Sequence, residues 1–421
     1  MMRPSVLCRY AVIIGLSVAL CAMEIAPASA DDFERATDDQ AADVIPAALL
    51  SGPHFKVHPV VHTIGYFHQW VIETDYGNYT VIGDSALRKL VPEIYAITNL
   101  QDISRGEAFA TAVASAAKSP FEFGYDLITS PVDTVSSLPS GVFRIFENAG
   151  EAIGAPKGST EDSMVKQALI VSSWKRDYAA EAGIDVYSSN EALQKELNRI
   201  GWAAAIGGLS VSAVTMSVSG PAAAAFGNVR LAKSISDVLQ QEPPARLRII
   251  NRDKLRAIHI ADDLIERFLD KTVFTPRAQT IITASLADLG TEVAGRDTFL
   301  TQALSAEDEA EATFYVNAAQ MLAGYHRQVS DMTRIVAVGR LVMATSRKGH
   351  AFVPAPVDRV FWTQQTWQVE GKMMSTAAKL GHDNKVDLWI TGTASPMAKT
   401  ESAKLGIAVT ENAGDKLGVA Y

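Results

Sequence analysis

Four of the eight histidines in this sequence lie within fifteen residues, at His54, His58, His62 and His68. Imidazole is the commonest protein ligand for zinc and related metals, so the cluster suggests a metal site. The prolines and valines between these histidines favour extended chain, in which residues four apart stand about 13 Å apart. We therefore expect either a metal site that other elements complete, or histidines on a strand face that sense pH or have no chemical role.

A second group, His259, Asp262, Asp263 and Glu266, falls on one predicted helix with the sequence HIADDLIERF. Carboxylates one turn apart could perform acid–base or metal chemistry. However, Asp263 also stands four residues before Arg267, which is the spacing of an ordinary ion pair on a helix surface. We interpret the group as an exposed helix face.

Other patterns in the sequence are weaker. The segments Ser115–Lys118 and Ser172–Lys175 both match S-x-x-K, but the companion motifs of the serine enzymes that use it are missing from the sequence. Thr391–Ser395 joins a predicted strand to a predicted helix, where backbone N–H groups could hold an anion. We expect a well-capped turn there. The sequence therefore contains no complete catalytic motif, and we predict no cofactor, with a metal at the clustered histidines kept as the alternative.

The residue pattern around these histidines is that of a β-hairpin. Tyr66–Thr74 is rich in aromatic and β-branched residues, Asp75–Asn78 has turn chemistry, and Tyr79–Ile82 returns as a second strand. We predict a loose lead-in and hairpin region over residues 31–83. Helix signals then dominate residues 84–330.

Strand and helix signals alternate over residues 331–421 in the order ββαβαβ, which is typical of a small α/β domain. The predicted fold class is therefore α+β. It combines an N-terminal β-hairpin region, a largely α-helical middle and this small C-terminal α/β domain.

The first thirty residues have the layout of a secretory signal peptide. Arg3 and Arg9 precede the apolar run Ala11–Ala22, and the small residues of Ala28–Ala30 precede an acidic pair. We predict cleavage after Ala30 and a periplasmic or secreted mature chain.

Cleavage would also change composition and charge. Cys8 and Cys21 would leave with the signal peptide, so the mature chain would hold no cysteine and no disulfide. Removing two arginines and one glutamate takes the net charge from −9 to −10. An acidic chain without a dense basic run is a poor binder of nucleic acid.

The segment Ile200–Val229 is thirty residues long and carries no charge. Its alanine, glycine and serine content suits a buried pair of closely packed helices. A long uncharged segment could instead associate with a membrane. We predict the buried pair and keep membrane insertion as an alternative.

These observations favour an exported, non-catalytic bacterial envelope or secreted interaction protein, whose partner would be another protein or an envelope component. Two alternatives remain. One is a hydrolase or metal-dependent enzyme that uses the face from His54 to His68, and the other is a membrane-inserting protein that uses residues 200–229.

Overall fold

The computed structural model describes residues 33–116, 160–207, 232–382 and 385–420, and Glu34–Tyr421 belong to one compact unit. Among the helices of these ranges, none combines the length and the apolar character needed to cross a bilayer. The predicted signal peptide, including both cysteines, lies outside the described residues. The described part of the chain therefore contains no cysteine.

The N-terminal region is an antiparallel sheet. Its strands are β1 (Asp39–Gln40), β2 (Ser51–Gly52), β3 (Phe55–Val57), β4 (Val60–Ile64), β5 (Phe67–Thr74) and β6 (Gly77–Ile82). Their order is β1-β4-β5-β3-β2, with β6 on the other edge of β5. The predicted hairpin is confirmed as β5 and β6, with Thr74 opposite Gly77. The expected loose lead-in instead contributes β1 and two short helices, α1 (Ala41–Val44) and α2 (Ala47–Leu50).

The alternation of β5 decides which of its side chains enter the core. His68, Trp70 and Ile72 are buried on one face of the strand, because successive side chains point to opposite sides. That face packs with the long helix α3 (Asp84–Arg105), which begins after Gly83. Gly83 has a φ of +97°, a conformation that residues with a side chain rarely adopt, so glycine suits the junction between sheet and helix.

Helices fill the middle of the described chain, as predicted. They are α4 (Glu107–Ala116), α5 (Thr160–Ala182), α6 (Glu191–Gly207), α7 (Lys233–Gln241), α8 (Pro244–Ala257), α9 (Asp262–Leu269), α10 (Pro276–Asp288), α11 (Arg296–Ala303) and α12 (Glu309–Gln328). Two helix starts differ from what local spacing predicts. Ser104 has the capping-box spacing to Glu107, yet it lies inside α3. Ser188 has the same spacing to Glu191, yet Asn190 accepts the backbone N–H of Leu193 at the start of α6.

The C-terminal sheet has the order β13-β11-β9-β8-β7, with β13, β11 and β9 parallel and the others antiparallel. A separate parallel pair joins β10 to β12. The strands are β7 (Met332–Val338), β8 (Leu341–Ser346), β9 (Ala351–Ala355), β10 (Arg359–Val360), β11 (Val386–Ile390), β12 (Thr393–Ala394) and β13 (Ile407–Thr410). The helices are α13 (Gln364–Lys379), α14 (Pro396–Lys404) and α15 (Ala413–Leu417).

This region departs from the predicted ββαβαβ order. The sequence RIVAVGRLVMAT, which that order counts as one strand, is the hairpin of β7 and β8, which reverses at Gly339. The short strands β10 and β12 and the helix α15 are additional elements. The α+β class is confirmed.

One apolar core joins the helical middle to the C-terminal sheet. The ring of Tyr325 on α12 stacks on that of Phe352 on β9, with ring centroids 4.0 Å apart, and Trp389 on β11 contacts both rings edge-on. Burial of these large rings fixes α12 against the sheet.

Candidate functional site

Three of the four predicted histidine ligands have separate partners near the surface. His54 Nδ1 lies 2.9 Å from Asp75, and His62 Nδ1 lies 2.7 Å from Asp38. His58 contacts the backbone of Val60, two residues further along the chain. Within the described residues, the one group with metal-ligand spacing contains none of these three histidines.

The fourth histidine, His68, is buried in a cluster of carboxylates. Its Nδ1 lies 2.8 Å from Asp84 Oδ1, which also accepts the indole N–H of Trp70 at 3.0 Å. The backbone N–H groups of His68 and Asp84 donate to Asp358 Oδ2 at 3.0 and 3.1 Å. Asp358 therefore accepts an N–H from the start of α3, where the helix dipole favours negative charge.

Asp39 and Arg359 complete the cluster on the other side of the imidazole. His68 Nε2 lies 3.7 Å from Asp39 Oδ2, and Arg359 Nε lies 3.3 Å from the same oxygen. None of these three buried atoms makes a hydrogen bond within the described residues. The cluster thus joins β1, β5, α3 and β10, together with Asp358 just before β10.

The pKa values of His68 and Asp358 are both raised, but for different reasons. Burial lowers the pKa of His68, and the carboxylates of Asp84, Asp358 and Asp39 outweigh this effect and raise it. For Asp358, burial itself raises the pKa to about 7, and the nearby charge of Asp84 adds to this effect. Both groups therefore hold protons more tightly than they would in water.

The arrangement of His68, Asp84 and Asp358 suits two roles: it could bind a cation, or it could hold the N-terminal sheet against the C-terminal region. Ligand atoms of His68, Asp84 and Asp358 all lie within 4.8 Å of one another. The hydrogen bonds of the two carboxylates show that these residues also tie the N-terminal sheet to the C-terminal region. The period-two alternation of FHQWVI was the sequence signal that His68 is buried. No local signal pointed to Asp358.

A second group of charged and polar side chains, which the sequence did not indicate, lines a cavity of about 830 Å³. We call this cavity the β6 cavity. It lies between β6, α3, the segment Asp185–Ala192, α10 and the start of α12. Glu93 of α3 lines this cavity and is only 2 % exposed.

The two oxygens of Glu93 differ in their partners. Oε2 accepts the side-chain N–H of Asn190 at 3.1 Å, whereas Oε1 has no hydrogen-bond partner within the described residues. Burial raises the pKa of Glu93, although Lys89 and the polar groups of Ser188 and Asn190 oppose the shift. The free oxygen is therefore an unused acceptor at a buried position.

Lys89 and Glu309 form an ion pair in the same cavity. Lys89 Nζ lies 2.6 Å from Glu309 Oε1, and the hydroxyl of Ser189 donates to Glu309 Oε2 at 2.5 Å. Burial acts against both charges, but the pairing raises the pKa of Lys89 and lowers that of Glu309. Both groups are therefore charged at neutral pH and already engaged.

The structure corrects the predicted helix that carries His259. This residue lies before α9 with a φ of +63°, and the helix begins at Asp262. Asp263 pairs with Arg267 at 3.5 Å, as expected for a helix surface. Glu266 lies 2.6 Å from both Arg248 and Arg252 of α8, so it belongs to an interhelical ion pair.

The two S-x-x-K segments form no Ser–Lys pair in the described chain. Ser172 accepts a hydrogen bond from Arg176, whereas the partly buried Lys175 donates to Gln194 and Asn198. Desolvation lowers the pKa of Lys175 to about 8. Lys118 of the other segment lies outside the described residues.

The remaining sequence expectations are met in part. Ser395 caps α14 by accepting the N–H of Ala398 at 2.9 Å, which confirms the capped turn. Residues 200–207 form the end of α6, where Trp202 and Ala203 are buried among other helices. Residues 208–229 of the uncharged segment lie outside the described residues.

No protein-family model, no curated protein and no solved structure matches this chain.

Proposed function

We propose that this chain is an exported, non-catalytic bacterial envelope or secreted protein that binds its partner in the β6 cavity. The observation that carries the proposal is the buried oxygen Glu93 Oε1, which has no hydrogen-bond partner within the described residues. Leaving a buried acceptor unpaired costs free energy. A donor on a bound partner would remove that cost once the groups that enclose this oxygen move aside.

The cavity is better suited to binding than to catalysis. Within its described lining there is no histidine and no cysteine. Ser189 donates to Glu309, but a serine nucleophile needs a base that is free to take its proton. The ion pair with Lys89 lowers the pKa of Glu309, which makes this carboxylate a weak base.

Export is supported by the N-terminal layout, with its basic start, apolar run and small residues before Asp31. A cysteine-free mature chain also suits an oxidising compartment, because it carries no thiol that could cross-link.

Ligand-detected NMR with three amines tests the binding site. The compounds are cadaverine, lysine amide and acetyl-trilysine amide, and the variants are Ala310→Trp, which places a large ring in the cavity, and its matched control Ala310→Ser. We expect saturation transfer to at least one amine from wild type and from Ala310→Ser, and its loss with Ala310→Trp. Identical results for all three proteins would refute the proposal, and chemical conversion of a bound amine would refute its non-catalytic part.

A metal-dependent enzyme is the second candidate, and the ligand spacing of His68, Asp84 and Asp358 is the observation that favours it. Metal analysis after incubation with Zn²⁺ and gel filtration would test it. This candidate requires one bound ion per chain in wild type and none in His68→Gln, with His62→Gln as the matched control.

A further inference from the structure

Strand β6 has a free edge that faces the β6 cavity. Within the described residues β6 pairs only with β5, and its other edge has no neighbouring strand. No backbone hydrogen bond from outside the sheet reaches residues 77–82 within that part of the chain. Alternate residues of such an edge point N–H and C=O groups away from the sheet, where another extended chain can pair with them.

The cavity follows this edge along its whole length. All six residues of β6 line it. Six residues of strand span about 20 Å, which matches an extended segment of similar length. Residues of α10 and α12 also line the cavity, so an added chain would contact these helices as well as the strand.

The charges of the cavity favour a basic group. Its charged lining residues are five acidic ones and two basic ones: Asp185, Glu191, Asp308, Glu309 and Glu93, with Lys89 and Arg277. Glu309 is paired with Lys89, and Asp308 caps α12 by accepting the N–H of Glu311. The oxygen that remains free at a buried position is Glu93 Oε1.

We propose that the occupant of the β6 cavity is an extended peptide that adds to the free edge of β6 and donates from a lysine or arginine side chain to Glu93. This inference rests on the proposed function and names the class of partner. Main-chain hydrogen bonds to β6 would supply affinity, and the charged contact would fix the register of the peptide.

A small amine alone would leave most of the cavity unused. It would satisfy Glu93 but none of the backbone groups along β6. A peptide satisfies both features with one ligand, because its backbone follows the strand while one side chain reaches α3. Backbone hydrogen bonding is therefore the property that distinguishes the two kinds of ligand.

Three immobilised hexapeptide libraries test the proposal with the purified mature chain. The first carries lysine at the fourth position and mixed residues elsewhere, the second replaces that lysine with norleucine, and the third is the lysine library with every backbone nitrogen methylated. We expect at least tenfold greater retention on the lysine library than on either of the others. Glu93→Gln should lower the preference for lysine over norleucine at least fivefold. The matched control Glu73→Gln, at an exposed position on β5, should leave it unchanged.

The outcomes separate this inference from the proposed function. If the amines bind in the cavity but N-methylation leaves peptide retention unchanged, the peptide proposal is wrong and the binding function stands. If the amines give identical results with wild type, Ala310→Ser and Ala310→Trp, the binding function fails, and the peptide proposal that rests on it fails with it. Equal retention on the lysine and norleucine libraries would overturn the role given to Glu93.

Discussion

Asp358 should make the folded protein less stable as pH rises from about 4 to 7. Burial raises its folded-state pKa from 3.8 to about 7. Between these values the folded chain binds more protons than the unfolded chain, so the free energy of unfolding falls as pH increases. At about 1.4 kcal/mol per pKa unit, the loss from this one group reaches at most about 4 kcal/mol above pH 7.

Substitution of Asp358 by asparagine removes this ionisation while keeping an oxygen that can accept the N–H groups of His68 and Asp84. The new amide brings the same extra N–H donor at every pH. The change in free energy between two pH values therefore isolates the ionisation better than either value alone. Relative to wild type, Asp358→Asn should gain up to about 4 kcal/mol between pH 4 and pH 8.

The assay is urea unfolding of the mature chain at five pH values from 4 to 8, followed by tryptophan fluorescence and circular dichroism. Glu370 supplies the matched control, because burial also raises its pKa to about 7 and, among the described residues, it shares no hydrogen-bond partner with Asp358. Glu370→Gln should remove a separate part of the slope, worth at most about 3 kcal/mol. An unchanged slope in Asp358→Asn would refute the reasoning.

Three further predictions follow from packing and sequence. Gly392→Ala should lower the free energy of unfolding by at least about 2 kcal/mol, because the added Cβ would overlap the carbonyl oxygen of Asp358. Gly349→Ala is the control: the space around it is open, and it should lower the free energy of unfolding by only about 1 kcal/mol. Equal losses in urea unfolding would contradict this prediction. Ala204→Glu should lower the free energy of unfolding by several kcal/mol, because Ala204 is buried among helices and the new charge would have no partner there. A melting temperature equal to that of Ala204→Ser would show that the site tolerates charge. Intact-mass measurement of the exported protein should give a chain that begins at Asp31, and a mass that includes Met1 or a lipidated Cys21 would disprove the predicted cleavage.

Short-range signals in the sequence determined the elements they lie in. The turn residues between β5 and β6 predicted that hairpin. Pro276 and Pro396 marked the starts of α10 and α14, which Thr275 and Ser395 cap. These features depend on backbone preferences and hydrogen bonds within a few residues, so no tertiary contact is needed to predict them.

Local pattern was insufficient where two signals competed. Ser104 has the spacing of a helix cap, but burial of Leu100 and its neighbours continues α3 past it. His259 follows helix periodicity, but its left-handed backbone separates α8 from α9. Tertiary packing overrides propensity at such positions.

The tertiary structure alone decided both candidate sites. The sequence singled out His68 as one of four clustered histidines, yet its backbone N–H meets a carboxylate 290 residues away. Glu93 carried no motif, and its chemical interest arises because Asn190 and the surrounding helices bury it beside β6. Periodicity indicates which face of an element is buried, but the residues that meet that face depend on how distant segments pack. This packing sets the desolvation and the hydrogen bonds of His68, Asp358 and Glu93, and these in turn set their proton affinities.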